Sequence, residues 1–406
     1  MDDGSGGPIA ARRLHTALRQ AGHDSRMLVW RKTTDDPTIE LFGRSKLSRA
    51  ASQGLGEPLD ALGLQYLAHP ASWALPDHPW IRAADVVHLH IIHGGYFSPL
   101  ALPRLSRATP VLWTMHDLWA VTGHCAVAAY DECQRWQEGC GACPQLHDYP
   151  AIRFDTTRWL WRLKRSLYQR SPRLAIACPS AWMANKIRQS PLLHHLDPIH
   201  LPNGIDLTLF KPLPQAVARE ALGIDRQLKV LMISSPVLSN ARKGMPLLVQ
   251  ALQGLDPAWR EHLLLLVVGK GGQDLAAQLP GFRVKSMGMV SDEIVSVLCY
   301  NAADIFVFPS IAENLPNSLL ESIACGTPVV CYDVGGNCEI VEHGITGFVA
   351  QKGDIAQFRE SIQAILDDKF DLQESSKSVN RIKNKYDIEM IAQRSIGIYN
   401  DLVSSN

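Results

Sequence analysis

Eight short runs of apolar, largely β-branched residues punctuate the chain: Arg26–Val29, Val86–His90, Val111–Met115, Leu174–Cys178, Lys229–Ile233, Leu263–Val268, Ile305–Phe308 and Pro328–Tyr332. Stretches with helical patterning separate them. Near-continuous apolar strands alternating with helices make a parallel sheet covered on both faces. The runs fall into two sets on either side of a Pro/Gly-rich junction, Leu201-Pro202-Asn203-Gly204-Ile205-Asp206 and then Phe210-Lys211-Pro212. With 406 residues the chain exceeds the ~250–300 at which a single core stops growing. Two α/β domains are therefore predicted, with their boundary at this junction. Two doubly wound domains facing each other leave a cleft at the carboxyl ends of their strands, where open α/β sheets bind ligands.

Forty basic residues balance forty acidic ones, which excludes a bulk nucleic-acid binder. Apolar residues make up 46% and charged residues 20%, the composition of a globular chain. The start, MDDGSGGPIAARRLH, has no apolar core of the signal-peptide kind. The longest aliphatic run, Leu263–Val268, is far short of the ~20 residues of a bilayer span. A soluble, cytoplasmic protein is the expectation. The glycines of Gly4–Gly7 lead into a helical pattern from about Ala10 to Ala21 with no strand ahead of them. Either the start codon is misplaced or the first strand of the domain is missing.

The segment Phe308-Pro309-Ser310-Ile311-Ala312-Glu313-Asn314-Leu315-Pro316-Asn317-Ser318-Leu319-Leu320-Glu321 carries the most chemistry. A buried strand ends at Phe308, a polar loop follows, and a helix starts near Asn317. The amides and positive dipole end of a helix N-terminus suit a phosphate. A carboxylate beside it can accept two hydroxyl hydrogen bonds from a ribose or hexose. Ser318-x-x-Glu321 equally fits a capping box, which would by itself account for Glu321.

This segment, together with Gly326-Thr327-Pro328-Val329-Val330, Gly335-Gly336 and Gly344-x-x-Gly347-Phe348, resembles the nucleotide-binding half of retaining GT-B glycosyltransferases. The relevant family is the large one that includes glycogen and sucrose synthase-like enzymes, and Glu-x7-Glu is its mark. The resemblance runs from Gly4 to about Leu402. It is strongest to bacterial enzymes that build exopolysaccharide repeat units of the colanic-acid and lipopolysaccharide kind. It implies two Rossmann-like domains: an acceptor domain over 1–203, a nucleotide-sugar domain over 204–387, and a final helix over 388–406 crossing back to the first. It also implies a nucleotide-diphosphate sugar as donor, a glycan or lipid-linked glycan as acceptor, and no cofactor or divalent ion for the chemistry.

Carried over by position, Glu313 lies against the donor sugar and Glu321 holds the ribose hydroxyls. The amides of Asn317, Ser318 and Leu319 face the diphosphate, with Lys243 and the adjacent Arg242 supplying cations that stabilise the leaving group. The arginine usual five positions before that lysine is Leu238 here. In the first half, Gly6 and Gly7 resemble the loop where donor phosphate and acceptor approach the backbone. His116 matches a histidine that contacts the donor sugar, with Asp117 a weaker acceptor contact and His90 or His93 lining the acceptor side. Two rivals fit the same sequence: a sugar-nucleotide epimerase, and a non-catalytic partner in a polysaccharide assembly complex.

Two further features stand outside this pattern. Cys125, Cys133, Cys140 and Cys143 crowd into one predicted loop as C-x7-C-x6-C-x2-C, spacing that suits a structural zinc ion or four free thiols. Residues 158–173 place Arg158, Arg162 and Arg165 on one helical stripe and Leu160, Leu163 and Leu167 on a neighbouring one, flanked by Trp159 and Trp161. Such a helix either lies on an anionic membrane surface, on the inner face of the plasma membrane, or packs its apolar stripe on the sheet.

Overall fold

The computed structural model of the chain describes residues 6–43, 46–127, 132–370 and 372–405. Among them are twelve strands: β1 (Met27–Val29), β2 (Ile39–Leu41), β3 (Val87–His90), β4 (Val111–Thr114), β5 (Leu174–Cys178), β6 (Ile199–His200), β7 (Lys229–Val237), β8 (Leu263–Lys270), β9 (Arg283–Gly288), β10 (Ile305–Phe308), β11 (Val329–Tyr332) and β12 (Gly347–Ala350). Every pairing between them is parallel. The chain divides into two compact units. One is formed by residues 1–202 with 391–406, the other by 203–390.

The second unit holds a six-stranded sheet in the order β12-β11-β10-β7-β8-β9. Successive side chains of a strand point to opposite faces, and the burial follows that rule on both sides. Val230, Met232, Leu264, Leu266, Phe306 and Phe308 pack into one core. Leu231, Ile233, Leu263, Leu265, Ile305 and Val307 pack into the other. All four residues of β10 and of β11 are buried, which is why these strands read as unbroken apolar runs. The first unit has a four-stranded sheet, β3-β4-β5-β6, and a separate pair, β1-β2.

All eight predicted strands are present, with ends moved by up to a few residues; β7 runs on to Val237 and β8 to Lys270. Four strands carried no clear signal. β9 and β12 are the edges of the larger sheet, where one open side relaxes the demand for apolar residues. β9 reads Arg-Val-Lys-Ser-Met-Gly. β2 and β6 are three and two residues long.

The first helix begins at Gly6, earlier than the pattern from Ala10 implied, so Gly6 and Gly7 form its first turn and not a loop ahead of it. Gly4 lies outside the described residues. At the other end, the helix Ile388–Ser404 is assigned from Ile391 onward to the first unit. There the Tyr399 hydroxyl bonds His88 Nδ1 at 2.7 Å, and Arg394 donates to the His200 carbonyl at 2.8 Å.

Candidate functional site

The order of the six-stranded sheet creates the site. From β7 the chain moves outward through β8 and β9; from β10 it moves the other way through β11 and β12. β7 and β10 are neighbours, so the sheet's switch point lies between them. The loops that leave their carboxyl ends separate there, which is where doubly wound sheets take ligands. The loop after β7 carries Arg242 and Lys243, and the loop after β10 carries Glu313.

Local chemistry locks these two loops together. Asn240 caps a short 3-10 turn, Ala241–Lys243, accepting the Arg242 amide at 3.2 Å. Gly244 closes that turn at φ 66°, and a β-carbon there would lie 1.9 Å from the Pro309 carbonyl oxygen. Only glycine tolerates both the positive φ and the approach. The Ile311 amide donates to the Arg242 carbonyl at 2.8 Å. On the far side, a β-carbon at Gly335 would meet the Glu313 carbonyl oxygen at 2.0 Å, and the Gly336 amide donates to Asn314 O at 2.7 Å.

The result is a short ion pair. Lys243 Nζ donates to Glu313 Oε1 at 2.5 Å, with the two side chains only 14% and 13% exposed. The ammonium also lies 5.6 Å from the centre of the Phe308 ring. Burial by itself pushes the Glu313 carboxyl up. The charges of Lys243 and Arg242, with hydrogen bonds from Lys243 and Ser310, outweigh it, so the net shift is downward. Glu313 is held ionised, and Lys243 is held against it. Leu238 is 3% exposed and belongs to the apolar core.

The helix that follows runs Asn317–Ala324. Its N-cap residue is Pro316, with no side-chain cap bond, so Ser318 is inside the helix and the capping box does not form. Glu321 instead accepts a hydrogen bond from the Tyr300 hydroxyl at 3.0 Å. The Leu319 amide, expected to face the diphosphate, is engaged with Pro316 O at 3.3 Å. Asn203 donates to the Leu315 carbonyl at 3.3 Å and to Asn317 Oδ1 at 3.0 Å, steadying the helix start. Tyr300, Ser310 and Asn203 had no signal in the sequence, because each acts through a contact 3 to 114 residues away along the chain.

In the first unit, Gly7 lies beside His116. A β-carbon on Gly7 would lie 2.1 Å from Ile91 Cδ1 and 3.3 Å from His116 Cγ, whereas Gly6 faces open space. His116 Nε2 bonds His90 Nδ1 at 2.9 Å, and the His88 ring lies tilted beside His90 with centroids 4.2 Å apart. Burial brings His116 down to about 4, with Asp117 opposing, so its imidazole is neutral at pH 7. Asp117 is taken up by structure: it bonds His93 Nε2 at 2.5 Å and accepts the Trp119 amide at 2.9 Å.

The four clustered cysteines line one pocket together with His124. Among the described residues, however, no group of three or more His, Cys, Asp or Glu side chains is placed so that it could hold a metal ion. The helix Thr157–Gln169 buries Leu160, Trp161, Lys164, Leu167 and Tyr168. Its apolar stripe therefore packs inward, leaving Arg158, Trp159, Arg162 and Arg165 outside. Among the described residues no helix is long and apolar enough to cross a membrane.

Two family models match the chain. One, described as "Glycosyltransferase Family 4", covers residues 4–209; the other, "Glycosyl transferases group 1", covers 228–368. The chain belongs to glycosyltransferase family 4. This member is 26% identical over 265 residues to a putative colanic acid biosynthesis glycosyl transferase, WcaC, of Escherichia coli K12, spanning 60% of this chain and 59% of that relative. Overall it spans about half the length of the curated relatives it matches first. Its fold is similar to that of a sucrose-phosphate synthase from Thermosynechococcus elongatus (TM-score 0.71, 19% identity, 100% of this chain and 96% of that one). It is also similar to Anabaena HepE in complex with UDP-glucose (TM-score 0.66, 18% identity, 100% and 98%). The family 4 member thus has the GT-B fold.

Proposed function

We propose that this family 4 glycosyltransferase is a retaining enzyme. It moves a hexose from a nucleoside-diphosphate sugar to a glycan or lipid-linked glycan in bacterial surface-polysaccharide synthesis. The observation that carries the reading is the Lys243–Glu313 pair at the switch point of the second unit's sheet, with a helix N-terminus and Glu321 following in the same segment. An ammonium held against a carboxylate, with a helix N-terminus following in the same segment, suits a pyrophosphate: Lys243 offsets charge on the leaving phosphate as the glycosidic bond breaks. Glu321, placed by Tyr300, accepts ribose hydroxyls, and Glu313 orients the sugar. Similarity to a UDP-glucose complex and to a colanic acid enzyme supports the donor class and the pathway class. A lipid-linked acceptor would also suit the exposed Arg158, Trp159, Arg162 and Arg165, which can rest on an anionic bilayer surface.

The test is a panel of nucleotide sugars and nucleoside diphosphates read by thermal protection and calorimetry. One donor at ~100 times its Kd should add about 2.7 kcal/mol of stability. Uptake of none of them would leave the non-catalytic partner. Conversion of the sugar nucleotide without any acceptor would favour an epimerase. The anomeric configuration of the product, read by NMR, tests retention. Lys243→Ala should lower turnover by ~10²-fold or more.

A further inference from the structure

The cysteine-rich loop holds donors that the donor site does not use. The segment Gly139-Cys140-Gly141-Ala142 runs through four consecutive positive φ values, 108°, 56°, 91° and 47°. Two of these residues are not glycine, so the turn carries strain that its surroundings must hold. The Gly141 amide donates to Thr157 Oγ1 at 2.9 Å, and the Cys143 amide donates to Asp155 Oδ2 at 2.8 Å. Backbone amides also point at sulfur: Gly123 N–H reaches Cys140 Sγ at 3.2 Å, and Gln145 N–H reaches Cys143 Sγ at 3.4 Å.

His124, 1% exposed, adds a second kind of donor. Its Nδ1 bonds the Pro150 carbonyl at 3.0 Å. A carbonyl only accepts, so Nδ1 carries the proton and a neutral ring leaves a lone pair on Nε2. That nitrogen lies 3.4 Å from Cys143 Sγ. With zinc bonds of ~2.0–2.1 Å to nitrogen and ~2.3 Å to sulfur, the edge of a tetrahedral site is about 3.5 Å. A backbone carbonyl bonded to the far ring nitrogen is also the usual support of a metal-bound histidine. Beside the pocket, the buried Lys164 side chain donates to the Trp119 and Thr122 carbonyls at 2.6 and 3.1 Å, which fixes the backbone next to the cysteines.

We infer that this pocket binds a structural zinc ion, its four coordination positions filled from Cys125, Cys133, Cys140, Cys143 and His124, with Cys140 and Cys143 as the chelating pair. The side chains line one pocket but, as they stand, no three of them are placed to hold the ion, so uptake has to draw the sulfurs inward and ties the loop after β4 to the start of the helix Thr157–Gln169.

The full chain, purified without chelator from zinc-supplemented medium, should carry about one zinc per chain. Cobalt titrated into the metal-free chain should give thiolate-to-metal charge-transfer bands and tetrahedral d–d bands. Cys140→Ser with Cys143→Ser should lose the zinc, while Cys338→Ser in the other unit keeps it. Hydrogen exchange over residues 132–145 should slow when zinc is added. If the double variant does not fold, the cobalt titration of the unaltered chain decides. Zinc-free protein with no cobalt bands and four freely reactive thiols would overturn the inference.

Discussion

The Lys243–Glu313 pair separates a structural role from a ligand-binding one. Lys243→Met removes the ammonium and leaves a carboxylate that is 13% exposed; breaking one side of a buried pair costs roughly 3–5 kcal/mol. Arg242 remains near Glu313, so the low end, about 3 kcal/mol, is expected. Glu313→Gln strands the ammonium but keeps an oxygen acceptor, and a cost of about 1–3 kcal/mol follows. The double variant should cost less than the two singles together, with a coupling of up to ~3 kcal/mol. The two units need not unfold together. The readout is therefore hydrogen exchange of amides in β7 and β10, which reports on the second unit. The ligand arm uses UDP and calorimetry. If Lys243 meets the diphosphate, Lys243→Met loses a charge-assisted contact of about 1.5–3 kcal/mol, a ~10–150-fold weaker Kd. Glu313→Gln should bind UDP at least as well as the unaltered chain, because the ammonium is released from its partner. Additive stability costs within ~0.5 kcal/mol, or UDP affinity unmoved by Lys243→Met, would refute the reasoning.

Further expectations concern other parts of the two units. Tyr300→Phe should weaken UDP binding less than Glu321→Ala does, because it removes only the group that places the carboxylate; equal stability loss and no change in affinity for Glu321→Ala would return that residue to a structural role. Gly244→Ala should disrupt nucleotide binding, since its β-carbon would strike the Pro309 carbonyl; calorimetry with a matched circular-dichroism spectrum checks it. In the first unit, burial lowers His88 to about 3, His90 well down and His116 to about 4. Their unfolded value is 6.5, so the unfolded chain takes up protons first. Stability should fall as pH drops from 6.5 toward 4, by about 1.4 kcal/mol per unit for each ring; His88→Gln should flatten that slope in pH-dependent urea titrations. Glu313 has the opposite baseline and the same sense. Its folded value lies below the ordinary 4.5, so its contribution is present above 4.5 and lost as pH falls beneath it.

The sequence by itself determined the local elements. β5 and β10 were legible to the residue, because a strand buried on both faces must be apolar throughout. Glu313 and Glu321 were picked out by the family resemblance that the Glu-x7-Glu segment carries. What that spacing could not decide was the partner of each group. Glu321 fitted a capping box equally well until the helix was seen to start at Asn317 under Pro316, with Tyr300 supplying the hydrogen bond. The inward packing of the helix Thr157–Gln169 likewise needed a sheet to pack against. Only tertiary structure set β7 beside β10, because strand order depends on which crossovers pack and not on chain order. That order carries Lys243 across 70 residues of sequence to Glu313, and with it the chemistry of the site.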